Sequence, residues 1–164
     1  MMNITPVPIV VTAEAHLANV ERVASSLNGK WVVDHKSSDA MGPVLEIMGI
    51  SWIFRVTLEA LPLFPYIYSV DADCFKVDGG MTPSTDVFFF AREVQWKAFD
   101  GTQYSAALGF DASGDLFVKI AHSCGDIITT YVVLSPTRMQ TRVAIVERAT
   151  GIVLRTMQRT LTRG

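Results

Sequence analysis

Few residues in this chain have types and spacings that suit catalysis or metal binding. The three histidines, His16, His35 and His122, are dispersed, and no two of them have the spacing of metal ligands. Ser123 and Cys124 follow His122 directly, but successive side chains at a strand end point to different faces, which disfavours a nucleophile–base pair. We find no phosphate-binding loop, dinucleotide fingerprint or nucleophile elbow. The sequence therefore predicts no catalytic residue, no metal site and no cofactor.

An arginine in an apolar C-terminal segment is a stronger candidate for binding chemistry. By two-residue alternation, Arg155 shares a strand face with Met157. A buried guanidinium needs a carboxylate, a hydroxyl network or water, and the sequence shows no obvious interior Asp or Glu. This pattern favours an anionic ligand at Arg155. The alternative is a solvated Arg155 at the rim, with Arg142, Arg148 and Arg159 as rival candidates.

The composition places these residues in one globular domain. The 164 residues are 49% hydrophobic and 18% charged, below the roughly 25% charged residues of average soluble chains, which excludes a disordered chain. The net charge of −2 gives no overall attraction for nucleic acid. Apolar runs fall short of the ~20 residues of a membrane-spanning helix, and we find no secretory signal. We therefore expect a cytoplasmic protein whose two cysteines, Cys74 and Cys124, are free thiols.

The first third of the chain has helical periodicity. Leu17, Val20, Ala24 and Leu27 follow one another at three- and four-residue steps, which predicts an amphipathic helix over 12–27. A strand is predicted over 29–35, and two further helical segments over 38–49 and 50–61. We expect this helix pair to form a lid that includes Met48 and Trp52, which would cover one end of the domain or contact a membrane.

The rest of the chain has the two-residue alternation of antiparallel strands. Turn signals recur every 8–12 residues and separate nine further strands, which gives ten in total; only the link 90–94 lacks a turn residue. A meander of this length has no second sheet to pack on, so we expect it to close on itself around an interior. We predict two parts: an N-terminal arm and helix over 1–28, packed on a barrel domain over 29–164. By alternation, the interior is predicted to contain Trp96, Tyr104, Leu108, Phe110, Val118, Tyr131 and Met157.

This order of parts resembles the intracellular lipid-binding (fatty-acid-binding) family of the calycin superfamily. The chain has Gly-x-Trp on its first strand, at Gly29-Lys30-Trp31, then two short helices and nine hairpin-linked strands. The resemblance covers 29–164, and the helix before it is an extension that the family pattern does not include. Three further segments resemble family motifs: Met48-Gly49-Ile50 through Arg55-Val56, Thr129-Thr130-Tyr131-Val132 and Leu154-Arg155-Thr156-Met157.

The resemblance implies a mainly β fold, a ten-stranded antiparallel up-and-down β-barrel with a helix-turn-helix lid. Family members bind a fatty acid or a similar lipid inside the barrel, usually with an Arg-x-Tyr pair on the last strand and another Arg on the eighth. Here Arg155 matches the Arg of that pair, Met157 replaces the Tyr, and Val133 replaces the eighth-strand Arg. The implied function is non-catalytic binding and transport of a hydrophobic small molecule by a monomer with transient membrane contact.

A second hypothesis keeps the same barrel but uses it as a reaction chamber. An enzyme, or a domain binding a pigment or haem-type cofactor, would need a positioned acid or base, and His35, His122 and Tyr131 are the plausible groups. Two or more titratable groups converging in the interior would favour this hypothesis. A single arginine in an apolar lining would favour the carrier.

Overall fold

The structure is a computed structural model that describes residues 12–80, 84–98 and 100–164. The predicted N-terminal arm over 1–11 lies outside these residues. Three helices and ten strands follow one another in an order that matches the prediction: α1 (Ala13–Leu27), β1 (Gly29–Asp34), α2 (Gly42–Ile47), α3 (Trp52–Ala60), β2 (Phe64–Val70), β3 (Cys74–Gly80), β4 (Thr85–Phe89), β5 (Val94–Lys97), β6 (Gln103–Phe110), β7 (Leu116–His122), β8 (Gly125–Ser135), β9 (Arg138–Val146) and β10 (Val153–Arg163).

All ten strands belong to one antiparallel sheet, as predicted. Its order is β4-β3-β2-β1-β10-β9-β8-β7-β6-β5, so every pair except β1 and β10 consists of strands consecutive in sequence. The β1–β10 ladder joins the two ends of the β region, with Trp31 opposite Arg163. Buried side chains from strands all around the sheet form one cluster. The sheet therefore encloses a single apolar interior.

The sheet is not continuous around its full circumference. β4 and β5 are the edge strands of the order, and in the described residues no ladder joins them. The meander encloses an interior as predicted, but at this point β4 contacts β5 and β6 without a ladder in the part of the chain that the structure describes. The chain bends at Phe90–Arg92 instead of making a tight turn. The one link that lacked a turn residue is the place where the ladder stops.

Helix α1 packs across the end of the sheet where β10 finishes. Thr12 caps it by accepting a hydrogen bond from the Ala15 N–H at 3.1 Å. Val20, Val23 and Leu27 are its buried residues, and the last two belong to the interior cluster. The part of the predicted apolar face that includes Ala24 and Leu27 covers the end of the barrel, whereas Leu17, predicted on the same face, is exposed.

Trp31 joins α1 to the sheet. Its indole N–H donates to the Leu27 carbonyl at 2.8 Å, and its ring is fully buried. The Arg163 guanidinium lies 4.1 Å from the ring centre and donates to the carbonyls of Ser26 and Asn28 at 2.8 and 2.7 Å. Both residues of this stacked pair thus hold the last turn of α1, so this end of the barrel is closed.

Helices α2 and α3 lie between β1 and β2, at the opposite end. Val44 and Leu45 of α2 are buried, and Met48 packs against the interior cluster. Helix α3 has no buried residue: Trp52 is 68% exposed, and Phe54 is 66% exposed. The predicted lid is therefore divided, because α2 covers the interior while α3 presents apolar side chains outward. Within the described residues, none of the helices is long and apolar enough to cross a membrane.

Candidate ligand-binding site

The last strand carries an arginine inside the barrel, but not the predicted one. Met157, Arg159 and Leu161 alternate inward on β10, opposite Val143, Thr141 and Met139 on β9. Arg159 is only 7% exposed. Arg155 has the same alternation but lies beside a β-bulge near the start of β10 and is exposed. The interior cation is therefore Arg159, and Arg155 lies at the rim.

The other two rival arginines also lie outside the interior. Arg142 is exposed and donates to the Gln140 side chain at 3.0 Å. Arg148 pairs with Asp126 at 2.9 Å on the outer face. Arg159 is thus the arginine of the described residues that lines the interior cluster.

Arg159 is incompletely satisfied where it lies. Its buried Nε has no hydrogen-bond partner among the described residues. Burial lowers the pKa of the guanidinium, and the phenols of Tyr66 and Tyr68 act in the opposite direction. The ion pairs of the described residues join other side chains: Arg55 to Glu46, and Lys119 and Arg148 to Asp126. A desolvated cation without an anion is costly, so this position favours a negative group from elsewhere.

Three tyrosines form a wall beside Arg159. The Tyr66 and Tyr68 rings stack with centroids 5.6 Å apart, and Tyr131 meets Tyr68 edge-on at 5.4 Å and Phe75 at 4.9 Å. Burial raises the pKa of all three phenols, so they stay neutral and keep their donor hydrogens. Their hydroxyl groups make no hydrogen bond to the described residues. The wall therefore offers polar atoms to whatever enters the interior.

The interior also contains a carboxyl group that the sequence did not indicate. On β4, Phe88 is buried opposite Phe75, and Asp86 lies two residues earlier, opposite Val77 of the same cluster. Residues two apart on a strand share a face, so Asp86 points inward. Burial raises its pKa, and a hydrogen bond from the Trp96 side chain partly offsets this rise. The sequence showed no obvious interior Asp or Glu, and the position of Asp86 corrects this expectation.

Replacing Asp86 with asparagine is expected to stabilise the ligand-free protein at neutral pH. A carboxyl whose folded pKa is raised holds more protons when folded than when unfolded, so stability falls as pH rises through that range. The gain from Asp86→Asn should therefore be small at or below the unfolded-state pKa of the carboxyl, grow as pH rises from that value to the raised folded pKa, and level off above the folded pKa. Thermal denaturation from pH 4 to 8 measures it, and a gain that is constant with pH would contradict the assignment.

Arg159 and Asp86 lie on different parts of the barrel wall. Arg159 is on β10 and Asp86 is on β4, and β3, β2 and β1 lie between these strands in the sheet order. The two titratable groups therefore do not form the close acid–base pair that a reaction chamber requires.

His122 points inward near the end of the barrel opposite α1. Its Nδ1 accepts from the Cys124 backbone N–H at 3.1 Å, so the proton is on Nε2, and burial lowers the pKa of the ring. Its ring packs on Tyr104 with centroids 4.3 Å apart. Burial also raises the pKa of the Cys124 thiol. This group is a neutral imidazole beside a protonated thiol, without a nucleophile–base hydrogen bond.

The remaining predicted lining residues lie together. Leu108 and Val118 are buried members of the interior cluster, and the half-buried side chains packed against it are those of Trp96, Tyr104, Phe110, Tyr131, Val133 and Met157. Of the predicted lid, Met48 packs on the cluster and Trp52 does not. Sequence reasoning missed Asp86, Tyr66 and Tyr68; their alternation with Phe88 and Val70 is the signal that indicates them.

Two cavities give access to these side chains. One, of about 370 Å³, lies at the end of α1 and reaches Tyr131 and Val133 on β8. The other, of about 300 Å³, lies between the 35–41 segment, the end of α3 and β10, with Arg159 in its wall. The interior arginine is therefore approached from the end covered by α2 and α3, where Glu59 and Met41 form other parts of the cavity wall.

Comparison with known proteins gives structural but not sequence matches. No family model and no curated protein sequence matches the chain. Among solved structures, a Schistosoma mansoni fatty acid binding protein in complex with arachidonic acid superposes with a TM-score of 0.66 at 19% identity, over 86% of this chain and 98% of that one. The REP1-NXSQ fatty acid transporter gives 0.67 at 17% identity, over 86% and 98%.

A third similar structure is a lipid binding protein of Caenorhabditis elegans in its apo form. It gives a TM-score of 0.65 at 14% identity and covers 85% of this chain and 96% of that chain. These similarities show that the chain has the fold of the fatty-acid-binding proteins, and the sequence-based prediction of this fold is confirmed.

Proposed function

We propose that this protein binds an amphiphile with an anionic head group, of the fatty-acid type, inside the barrel and releases it unchanged. The observation that carries the proposal is Arg159, a buried cation whose Nε lacks a partner in an apolar interior. A carboxylate would supply the missing acceptor and the missing charge. The solved structures with the same fold include proteins named as fatty acid binding and fatty acid transporting, which supports the same ligand class.

The surroundings of Arg159 suit such a ligand in two ways. Ligand sites usually combine an apolar lining with a few polar groups that orient the ligand. Here the lining consists of aliphatic and aromatic side chains from strands all around the sheet. The hydroxyls of Tyr66 and Tyr68 lie near the guanidinium and add donors for a carboxylate. The proposed head-group site is therefore Arg159 with these two tyrosines.

Titration of delipidated protein with oleate and with oleyl alcohol tests the proposal. The two ligands share one chain and differ only in the head group, so Arg159 should favour the acid strongly. We expect oleate to bind well below the high-micromolar range, as measured by displacement of a fluorescent fatty acid. The absence of oleate binding, or equal binding of acid and alcohol, would contradict it.

We further propose that the protein works as a monomeric cytoplasmic carrier that contacts membranes through α3. Trp52, Ile53 and Phe54 present a contiguous apolar surface at the first turn of this helix, beside the end of the barrel where Arg159 is approached. Two free cysteines, Cys74 and Cys124, suit a reducing compartment. A lipid surface would bury the apolar turn during ligand exchange.

Replacing Phe54 with serine is expected to weaken binding to phosphatidylcholine vesicles about tenfold. Burial of one phenylalanine side chain contributes about 1.5–3 kcal/mol, and the serine loses most of it. Cosedimentation with vesicles measures the effect. Leu17→Ser is the matched control, because Leu17 is also exposed but lies on α1 at the opposite end. Equal losses in both variants would place the membrane contact elsewhere.

A further inference from the structure

The strand that carries the interior arginine loses one of its neighbouring strands at that arginine. β1 ends at Asp34, and the ladder partner of Asp34 on β10 is Thr160. From Arg159 back toward the start of β10, the described ladders join β10 to β9 and not to β1. Backbone N–H and C=O groups along such an edge need other partners. The direction of the Arg159 side chain therefore depends on what supports the backbone beside it.

Residues 37–39, here called the strap, take the place of β1 along this edge. The Ser38 hydroxyl accepts from the Thr160 backbone N–H at 2.9 Å and donates to the Asp34 carbonyl at 2.6 Å. The Ser37 carbonyl accepts from the Thr160 hydroxyl at 3.1 Å. The strap thus binds the residue that follows Arg159 through both its backbone and its side chain.

Asp39 of the strap binds the residue that precedes Arg159. Its backbone N–H donates to the Gln158 carbonyl at 2.9 Å, and its side-chain Oδ2 accepts from the Gln158 backbone N–H at 2.8 Å. Both backbone groups of Gln158 are therefore bonded to one residue. Together with the bonds to Thr160, these contacts fix the β10 backbone on both sides of Arg159 and so restrict the direction of its side chain.

The carboxylate of Asp39 is used for this backbone contact and not to neutralise the arginine. Asp39 and Arg159 line the same cavity of about 300 Å³, yet no ion pair joins them among the described residues. Arg159 keeps an Nε without a partner. A negative charge in the wall of a cavity that admits an anion repels that anion, so the hydrogen bonds of Asp39, and not its charge, account for its position.

We infer that Asp39 is a positioning residue for the head-group site: through Gln158 it holds Arg159 in the direction in which the guanidinium meets the ligand carboxylate. The inference rests on the proposed function, because it takes Arg159 as the group that binds the carboxylate. Charge and position have effects of opposite sign here. Loss of the Asp39 charge alone strengthens the binding of an anion, whereas loss of its hydrogen bond weakens that binding.

Two variants of Asp39 separate these effects in titrations with oleate and oleyl alcohol. Asp39→Ala removes both the charge and the acceptor, and we expect oleate to bind about five- to tenfold more weakly, as the net value of one hydrogen bond implies. Oleyl alcohol should stay within about twofold, because it has no carboxylate to place. Asp39→Asn removes the charge but keeps a side-chain oxygen that accepts from the Gln158 N–H, so it should bind oleate at least as tightly as the wild-type protein.

The matched control is Asp71→Ala in the turn between β2 and β3. Asp71 is exposed like Asp39, and its Oδ1 also accepts from backbone N–H groups, those of Asp73 and Cys74 at 2.8 and 2.9 Å. This turn contacts α1, at the end of the barrel opposite the cavity of Arg159. The control loses the same kind of hydrogen bond and the same charge, so it should keep the wild-type ratio of oleate to oleyl alcohol affinity.

Hydrogen exchange of the Gln158 backbone amide tests the strap without any ligand. A hydrogen-bonded amide exchanges slowly, at a rate set by local opening. We expect slow exchange in the wild-type protein and in Asp39→Asn, and clearly faster exchange in Asp39→Ala. This measurement does not depend on the proposed function.

The outcomes distinguish the two proposals. If the wild-type protein does not prefer oleate to oleyl alcohol, the proposed function is wrong, and the role of Asp39 at that site is lost with it. If the wild-type protein prefers oleate and Asp39→Ala keeps this preference, only the role of Asp39 is wrong. Equal losses in Asp39→Ala and Asp39→Asn, an equal loss in Asp71→Ala, or fast exchange of the Gln158 amide in the wild-type protein would also overturn it.

Discussion

Replacing Arg159 with glutamine is expected to weaken oleate binding by at least about thirtyfold while leaving oleyl alcohol within about threefold. Removing one partner of a buried, hydrogen-bonded charge pair costs about 2–5 kcal/mol, which corresponds to about 30-fold to several thousand-fold in affinity. The alcohol has no charge to lose, so the variant should bring the two ligands to similar affinities. Displacement of a fluorescent fatty acid by each ligand gives the dissociation constants of oleate and oleyl alcohol.

The control for this prediction lies on the same strand. Arg155→Gln removes the same charge from an exposed side chain four residues earlier, at the rim of the barrel. We expect less than a twofold change in oleate affinity, because a solvated charge at the surface is screened. A larger loss in Arg155→Gln than in Arg159→Gln would restore the site that the sequence alone suggested, and equal losses would indicate a general electrostatic effect.

Replacing Trp31 with alanine is expected to give the largest loss of stability. Truncation of a fully buried tryptophan typically costs about 3–5 kcal/mol, and domains of this kind have about 5–15 kcal/mol in total. The indole also donates to Leu27 and stacks with Arg163, so its removal loosens α1 from the sheet. The variant should unfold at a much lower urea concentration.

Two further tryptophan variants separate packing from hydrogen bonding. Trp31→Phe keeps most of the ring but loses the indole N–H, and it should lose clearly less stability than the alanine variant. Trp52→Ala removes an exposed ring and should change the free energy of unfolding by at most about 0.5 kcal/mol. Similar urea midpoints for Trp31→Ala and Trp52→Ala would contradict the assigned role of Trp31 at the closed end.

The many apolar residues of this chain lie in two places in the structure. Much of it lines the interior, and part of it is exposed on α3, where Trp52, Ile53 and Phe54 have no partner within the described residues. The interior also contains Arg159, a buried cation whose Nε has no partner among the described residues, which lowers the stability of the ligand-free protein. Such groups are typical of binding sites, where stability is traded for function.

Local patterns in the sequence are sufficient to predict the order and type of the elements. Hairpins are local structures, so alternation and turn residues between consecutive strands are sufficient to predict nine strands after the helices. The same argument explains the one gap in the ladder of the sheet. The link 90–94 has no turn residue, and its flanking strands, β4 and β5, do not pair. Gly29-Lys30-Trp31 likewise indicated the fold, because it marks the strand that closes the barrel.

Which arginine of β10 lies inside the barrel depends on long-range contacts that local patterns do not contain. Arg155 and Arg159 have the same alternation, so the sequence places both on one face and does not distinguish their depth. Four residues along a strand correspond to about 13 Å, which separates the solvated rim from the apolar interior. Trp31 became the closing residue because β10, which is distant in the chain, brings Arg163 onto it. Alternation along a strand indicates which face a side chain is on, but its depth in the barrel and its long-range neighbours depend on how the sheet curls.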